Sequence, residues 1–337
     1  MTTRRKLLKG VAATGAALAL PPFIATGRAA EQVGIVLPLG FSIDFFDAMN
    51  AYSGGHYARE GIDAKIIGAN TGVQMTQLVV SGQAVFGRGS PPDQVRAVAA
   101  KQAAPLAIAS ICQGCNFRVF SPKAKPVLVP KDFKGKVVGL ITAASPTGIY
   151  LDVMLAQAGL SGADVERQVT GGTPGAIEIL KQGRVDCFIS TLSVKVALER
   201  AKEPVEVWNP DKYLPLPGQN YLAMPETIQA KPDLVLRFLR AIKASALEMM
   251  AGPIAPLLER AAKDFDIPGV ADRDGNVAYL ETAITEMWLS EGRENLLLNL
   301  PRRWDAGLAA LREAKLVDLT DSSVLYTNKF IEQVMKG

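Results

Sequence analysis

A chain of 337 residues with 48% apolar and 21% charged side chains is long enough for two ordinary domains, each with a sizeable core. Its formal charge of +4 is concentrated at the start: residues 1–30 hold five basic residues (Arg4, Arg5, Lys6, Lys9 and Arg28) and no acid, which leaves the remainder at −1. That balance argues against a basic surface for nucleic acid, and three cysteines are too few for a disulfide scaffold at this length.

In chain order, the first element is a targeting segment rather than part of the fold. Arg4-Arg5-Lys6 precedes an apolar stretch over 11–20 and a small-residue region closing on Ala29-Ala30. This pattern predicts a twin-arginine export signal over 1–30, with a cleavage site near Ala29 or Ala30 and a periplasmic destination. No later stretch has eighteen uninterrupted apolar residues.

From Glu31 strands alternate with helices. Strands are expected over 33–38, 62–67, 84–87 and 106–111, and helices over 45–57, 73–81 and 91–101. Gly61 and Gly82 sit where helices should stop, and Ser90 with Pro91 where one should start. The pattern restarts at 131–136 with strands over 137–141 and 165–169 and a helix over 149–158. The segment "GGTPGAIEILKQGRVDCFIS" (171–190) then repeats the layout of "TGVQMTQLVVSGQAVFGRGS" (71–90): loop, helix, glycine turn, strand. The final third reads as helices, chiefly 234–250, 255–265, 277–289 and 304–314. These signals predict two α/β lobes, each a mostly parallel sheet flanked by helices, with a helical C-terminal region. The expected division is 31–120 plus 222–337 for the first lobe and its helical tail, and 121–221 for the second.

Open parallel sheets bind ligands outside the carboxyl ends of their strands, so two facing lobes define a cleft. Both lobes place small and hydroxyl residues there: Thr71 and Ser90 in the first, Ser145, Thr147, Thr173 and Thr191 in the second. Arg88, just past a strand, reads either as a partner for a carboxylate or sulfonate or as a solvent-facing loop residue. Asp44, among Phe41, Phe45 and Phe46, reads as an acceptor for an amine or aminopyrimidine, or as a helix N-cap. Cys112-Gln-Gly-Cys115 lies between two strand-like runs and reads as a loop with a local disulfide or two free thiols, not as a redox centre. The single histidine, His56, reads as a surface or helix-end residue. One histidine and three cysteines build no ordinary metal site, and no nucleotide-binding glycine pattern occurs, so no cofactor is expected.

The phrases "DFKGKVVGL" (132–140), "AASPTGIYLDVMLAQAGL" (143–160) and 171–190, with "KPDLVLRFLRAIKASA" (231–246) and "DSSVLYTNKFIEQV" (321–334), resemble periplasmic substrate-binding proteins of ABC importers. The resemblance is to the nitrate/sulfonate/taurine and thiamine-pyrimidine binding family. It departs at Val85, where the family's first glycine turn commonly carries an acid; the second copy keeps Asp186. The resemblance implies a type II-like two-lobed fold and a monomeric receptor that captures a sulfonate, carboxylate or pyrimidine-like ligand by hinge closure. It would deliver that ligand transiently to a permease. Asn116, Phe117 and Tyr221 are implied at the floor or hinge of the cleft. The family also includes enzymes of thiamine-pyrimidine synthesis that use an active-site histidine and a cysteine-rich iron-binding run. An exported enzyme is therefore the competing expectation, although this chain has no cysteine run.

Overall fold

The computed structural model of the chain describes residues 30–143 and 145–336; the expected export signal lies outside the described residues. Within them the strands form two five-stranded sheets with the same internal plan. The first runs in the order β2 (Ile62–Gly68), β1 (Glu31–Leu37), β3 (Phe86–Gly89), β10 (Gln219–Ala223), β4 (Leu106–Cys112). The second runs β7 (Glu166–Val169), β6 (Val137–Leu140), β8 (Cys187–Thr191), β5 (Phe117–Pro122), β9 (Val205–Trp208). In each sheet one strand, β10 or β5, runs against its neighbours and the rest are parallel. The β1–β3 register, Ile35 beside Phe86, has its counterpart in Val138 beside Cys187.

These antiparallel strands tie the lobes together. The chain passes from β4 into β5 through 113–116 and returns from β9 to β10 through 209–218. So β5 belongs to the second sheet although it mostly precedes the expected division at 120/121, and β10, which straddles the expected division at 221/222, is an inner strand of the first sheet. At the crossings the two connections touch backbone to backbone. A Cβ added to Gly218 would collide with the Gly114 carbonyl oxygen, so glycine is required there by close approach.

Helices cover the sheets: α1 (Phe46–Ser53), α2 (His56–Arg59), α3 (Gly72–Val80) and α4 (Pro91–Ala99) in the first lobe, α5 (Pro146–Gln157), α6 (Ala176–Lys181) and α7 (Leu192–Arg200) in the second. The tail adds α8 (Pro225–Ala230), α9 (Pro232–Ala251), α10 (Ile254–Ala261), α11 (Arg273–Ala283), α12 (Pro301–Glu313) and α13 (Ile331–Lys336). The expected helix over 45–57 is two pieces, because Gly55 takes φ +68° between α1 and α2. α9 shows why the tail folds back: Leu234, Phe238, Ile242, Ala246 and Met249 recur at helical spacing and are all buried. Phe238 stacks on Phe86 of β3 at 3.8 Å between ring centroids.

α11 continues into a π-helical turn, Ile284–Trp288, which carries Glu286. Glu286 reaches Arg118 of β5 at 2.9 Å and Lys195 of α7 at 2.7 Å, linking the tail to the second lobe. Arg200 and Asp272 make a further tail-to-lobe pair at 2.7 Å.

Candidate functional site

Between the sheets' carboxyl edges lies a cavity of about 220 Å³. The first lobe contributes Pro38 and Leu39 after β1, Asp44 and Phe45 before α1, Asn70 to Val73 at the start of α3, and Ser90 and Asp93 at the start of α4. The second lobe contributes Phe117, Ile141, Thr142, Ser145, Pro146 and Thr191; the first crossing adds Asn116, and Gln219 comes from the start of β10. Both lobes and the first crossing therefore share one wall.

Local sequence explains why these residues converge. Thr71 is extended and its hydroxyl accepts from the Gln74 N–H at 3.1 Å, so α3 starts at the cavity. Ser90 and Ser145 each precede proline at the first helical position, so α4 and α5 also begin there. α7 begins after Thr191, with the Leu192 N–H donating to the Asn116 carbonyl at 2.8 Å. Four helix N-termini thus face the space, and the first turn of α3 offers the N–H groups of Gly72 and Val73, whereas α4 and α5 begin with proline. Pro91, Pro92 and Pro146 have none, and those of Gln74 and Leu192 are already used.

The charged lining is acidic. Among the described lining residues there is no Arg, Lys or His. Asp44 is half-buried; the Ser42 hydroxyl donates to it at 3.0 Å and so does the Tyr279 hydroxyl. Burial raises its carboxyl above the usual aspartate value, and the Tyr279 and Ser42 hydrogen bonds pull the other way. Asp93 is pushed up to about 6 by burial, with only the Arg96 charge opposing.

Of the residues expected at the site, Asp44, Thr71, Ser90, Asn116, Phe117, Ser145 and Thr191 line the cavity. Asp44 is not a helix N-cap: Ser42 caps the short turn before α1. The other five lie elsewhere. Arg88 is not a loop residue, and it lies outside the cavity lining. It is fully buried on β3, its Nη2 donating to Asp47 Oδ1 at 2.8 Å and its guanidinium 4.8 Å from the centre of the Tyr221 ring. Tyr221 is buried with it and donates its hydroxyl to Asp47. Phe41 packs against Phe265 at 5.2 Å. Thr147 is fully buried, its hydroxyl 2.6 Å from that of Ser145. Thr173 is exposed and outside the lining.

His56 is buried at the start of α2, not on the surface, with Nε2 2.7 Å from Glu248 and Nδ1 2.6 Å from Arg59. Cys112 and Cys115 are free and buried, and burial pushes both thiols up, to about 12 and about 11. Asn70, Asp93, Thr142 and Gln219 line the cavity without having been expected. Asp93 lies in the first turn of α4, three residues after its Ser90 cap, and that spacing is the one local signal that could have marked it.

The model of the family described as NMT1/THI5 like matches residues 43–255. No curated protein sequence matches the chain. Among solved structures, one from Bordetella bronchiseptica RB50 is similar, with 20% identity, a TM-score of 0.70, and 92% of this chain and 98% of that one covered. The alkanesulfonate-binding protein SsuA from Xanthomonas axonopodis pv. citri, bound to MOPS, is similar at 17% identity and a TM-score of 0.63, over 87% of this chain and 96% of that one. The periplasmic nitrate-binding protein NrtA from Synechocystis PCC 6803 is 10% identical with a TM-score of 0.69, over 91% and 89% of the two chains. These likenesses show the two-lobed periplasmic binding protein fold, as expected from the sequence.

Proposed function

The chain belongs to the NMT1/THI5-like family, and from that premise we propose that it is the solute-binding component of an ABC importer, acting in the periplasm after twin-arginine export. It captures a small organic ligand between its lobes and passes it to a permease. The observation that carries this reading is the cavity itself, walled by both lobes and by Asn116 of the first crossing segment. A ligand touching both walls stabilises the closed arrangement through contacts that an open one lacks.

The lining narrows the ligand class. A sulfonate or carboxylate calls for a cation or a set of free N–H donors, and this wall offers two aspartates and prolines at two of its helix starts. Each helix N-terminus supplies only about half a positive charge, against a full negative charge on an ionised aspartate. Phe45 and Phe117 add aromatic surface. The balance favours a pyrimidine-like ligand bearing amino or amidine groups over the organic anions.

A thermal-shift series tests this with aminopyrimidines and benzamidine against benzenesulfonate, taurine and nitrate. Stabilisation of about 2.7 kcal/mol is expected for a ligand at a hundred times its Kd. Selective stabilisation by the nitrogen bases, with the ligand recovered unchanged, supports the receptor. Conversion of the ligand to product would favour the competing reading, an exported enzyme on this fold. Selective stabilisation by sulfonates would overturn the ligand class.

A further inference from the structure

Asp44 and Asp93 both line the cavity, but only Asp44 is held by its neighbours. Asp93 has no hydrogen-bond or ion-pair partner among the described residues, whereas Asp44 receives Ser42 and Tyr279. Its Oδ2 lies 3.5 Å from where a side chain on Gly72 would begin, so the carboxyl group stands over the first turn of α3 and beside the cavity. A Cβ at Gly72 would narrow the space into which that carboxyl projects.

The surroundings leave its charge uncompensated. α3, "GVQMTQLVV", contains no titratable residue. The facing segment of the second lobe, 141–146, contains none either, and Leu222 is the β10 residue nearby. On its own helix only Arg96 bears a charge, and that side chain is exposed. Among the described lining residues, the only other charged group is Asp44.

We propose that Asp93 is the specificity-determining residue of the cavity and makes capture of a cationic ligand proton-linked: the ionised carboxylate accepts N–H groups of an ammonium or amidinium, and protonation cancels that contact. The inference rests on reading the cavity as the ligand site. The sign follows from the raised carboxyl value. Above about 6 the group is ionised and the contact is made; below it the group is neutral and a cation loses its counter-charge. Asp44, also raised by burial, keeps its hydroxyl donors in either case.

The test uses benzamidine, a planar cation across the working range, titrated into the full chain by calorimetry at about pH 7.5 and about pH 5. The expected result is binding about tenfold weaker at the lower pH. In Asp93→Asn the affinity should be weak and equal at both pH values, while Asp44→Asn should bind less tightly yet keep the pH dependence. Circular dichroism of each variant checks that it is folded. Equal benzamidine affinity at both pH values in the wild type overturns the role of Asp93 while leaving the receptor reading intact. Independently of any ligand, the Asp93 carboxyl carbon should titrate by NMR with a midpoint of about 6. A midpoint at the ordinary value of 3.8 overturns the proposal even if every member of the panel fails to bind.

Discussion

In the first lobe Thr71 opens α3, Gly82 turns with φ +74°, and β3 ends beside Ser90; in the second α6 starts at Ala176, Gly183 turns with φ +69°, and β8 ends on Thr191. The layouts match and the tasks do not. The loop before α3 forms a wall of the cavity from Asn70 to Val73, whereas the loop before α6 leaves Thr173 exposed and away from it. The second lobe reaches the cavity instead through the start of α5 and through Thr191. Inside the sheets the contrast continues. The central position is Arg88 in β3, buried against Asp47, and Ile189 in β8, buried among apolar neighbours. The residue after the glycine turn is Val85 in one copy and Asp186 in the other, and Asp186 accepts from the Val137 N–H at 2.8 Å. Shared topology sets where strands end; it does not decide which loop meets the ligand or how each core is held.

The largest expected effect separates the two central positions. Arg88→Met strands Asp47 as an unpaired buried carboxylate and should cost about 3–5 kcal/mol in denaturant unfolding. Ile189→Ala opens an apolar cavity and should cost about 2–4 kcal/mol. If Arg88→Met proved milder than Ile189→Ala, the first lobe would not depend on its buried ion pair in the way the contrast requires.

A second test sharpens the difference through pH. Burial pushes the Glu248 carboxyl up, but hydrogen bonds from Arg260, His56 and Asn50 outweigh it and hold it at about 2, below its usual 4.5. A carboxylate depressed by folding contributes stability above its unfolded value and loses it as pH falls toward the folded one. Acid unfolding should therefore show a loss of roughly 2 kcal/mol between about pH 4.5 and about pH 2 that Glu248→Gln abolishes, the figure being reduced for solvent screening. The apolar cluster of the second lobe around Phe120, Phe188 and Leu180 offers no such term. The smallest effect is Asp186→Ala, which removes one charge-assisted bond to Val137 and should cost about 1–2 kcal/mol. A change near zero would make the acid at that turn dispensable, as Val85 already suggests for the other copy.

Much of this was legible locally. Gly61, Gly82 and Gly183 mark turns because their φ values are positive, and the 3.6-residue spacing of α9 shows its buried stripe. Ser90 before Pro91 placed one helix start at the cavity, whereas the helix expected over 149–158 begins three residues earlier, at Pro146. What local signals could not supply was partnership. Arg88 meets Asp47 across 41 positions and Tyr221 meets Asp47 across 174, so a strand-end arginine that looked available is neutralised from afar. Thr147 stays outside the cavity lining for a geometric reason: two residues past a cap, its side chain turns inward to bond Ser145. His56 looked exposed because Glu248, its partner, lies 192 positions on in α9.

The central claim is that a solute is held between the lobes, and hydrogen–deuterium exchange with and without the best ligand of the thermal series tests it most directly. Exchange should slow in both lobes at once, over 70–73 and 93–95 in the first, at 116 in the crossing, and at 117 and over 141–149 in the second. Protection confined to one lobe, or to the groove between α9 and α13 lined by Arg240, Lys243 and Leu247, would contradict it.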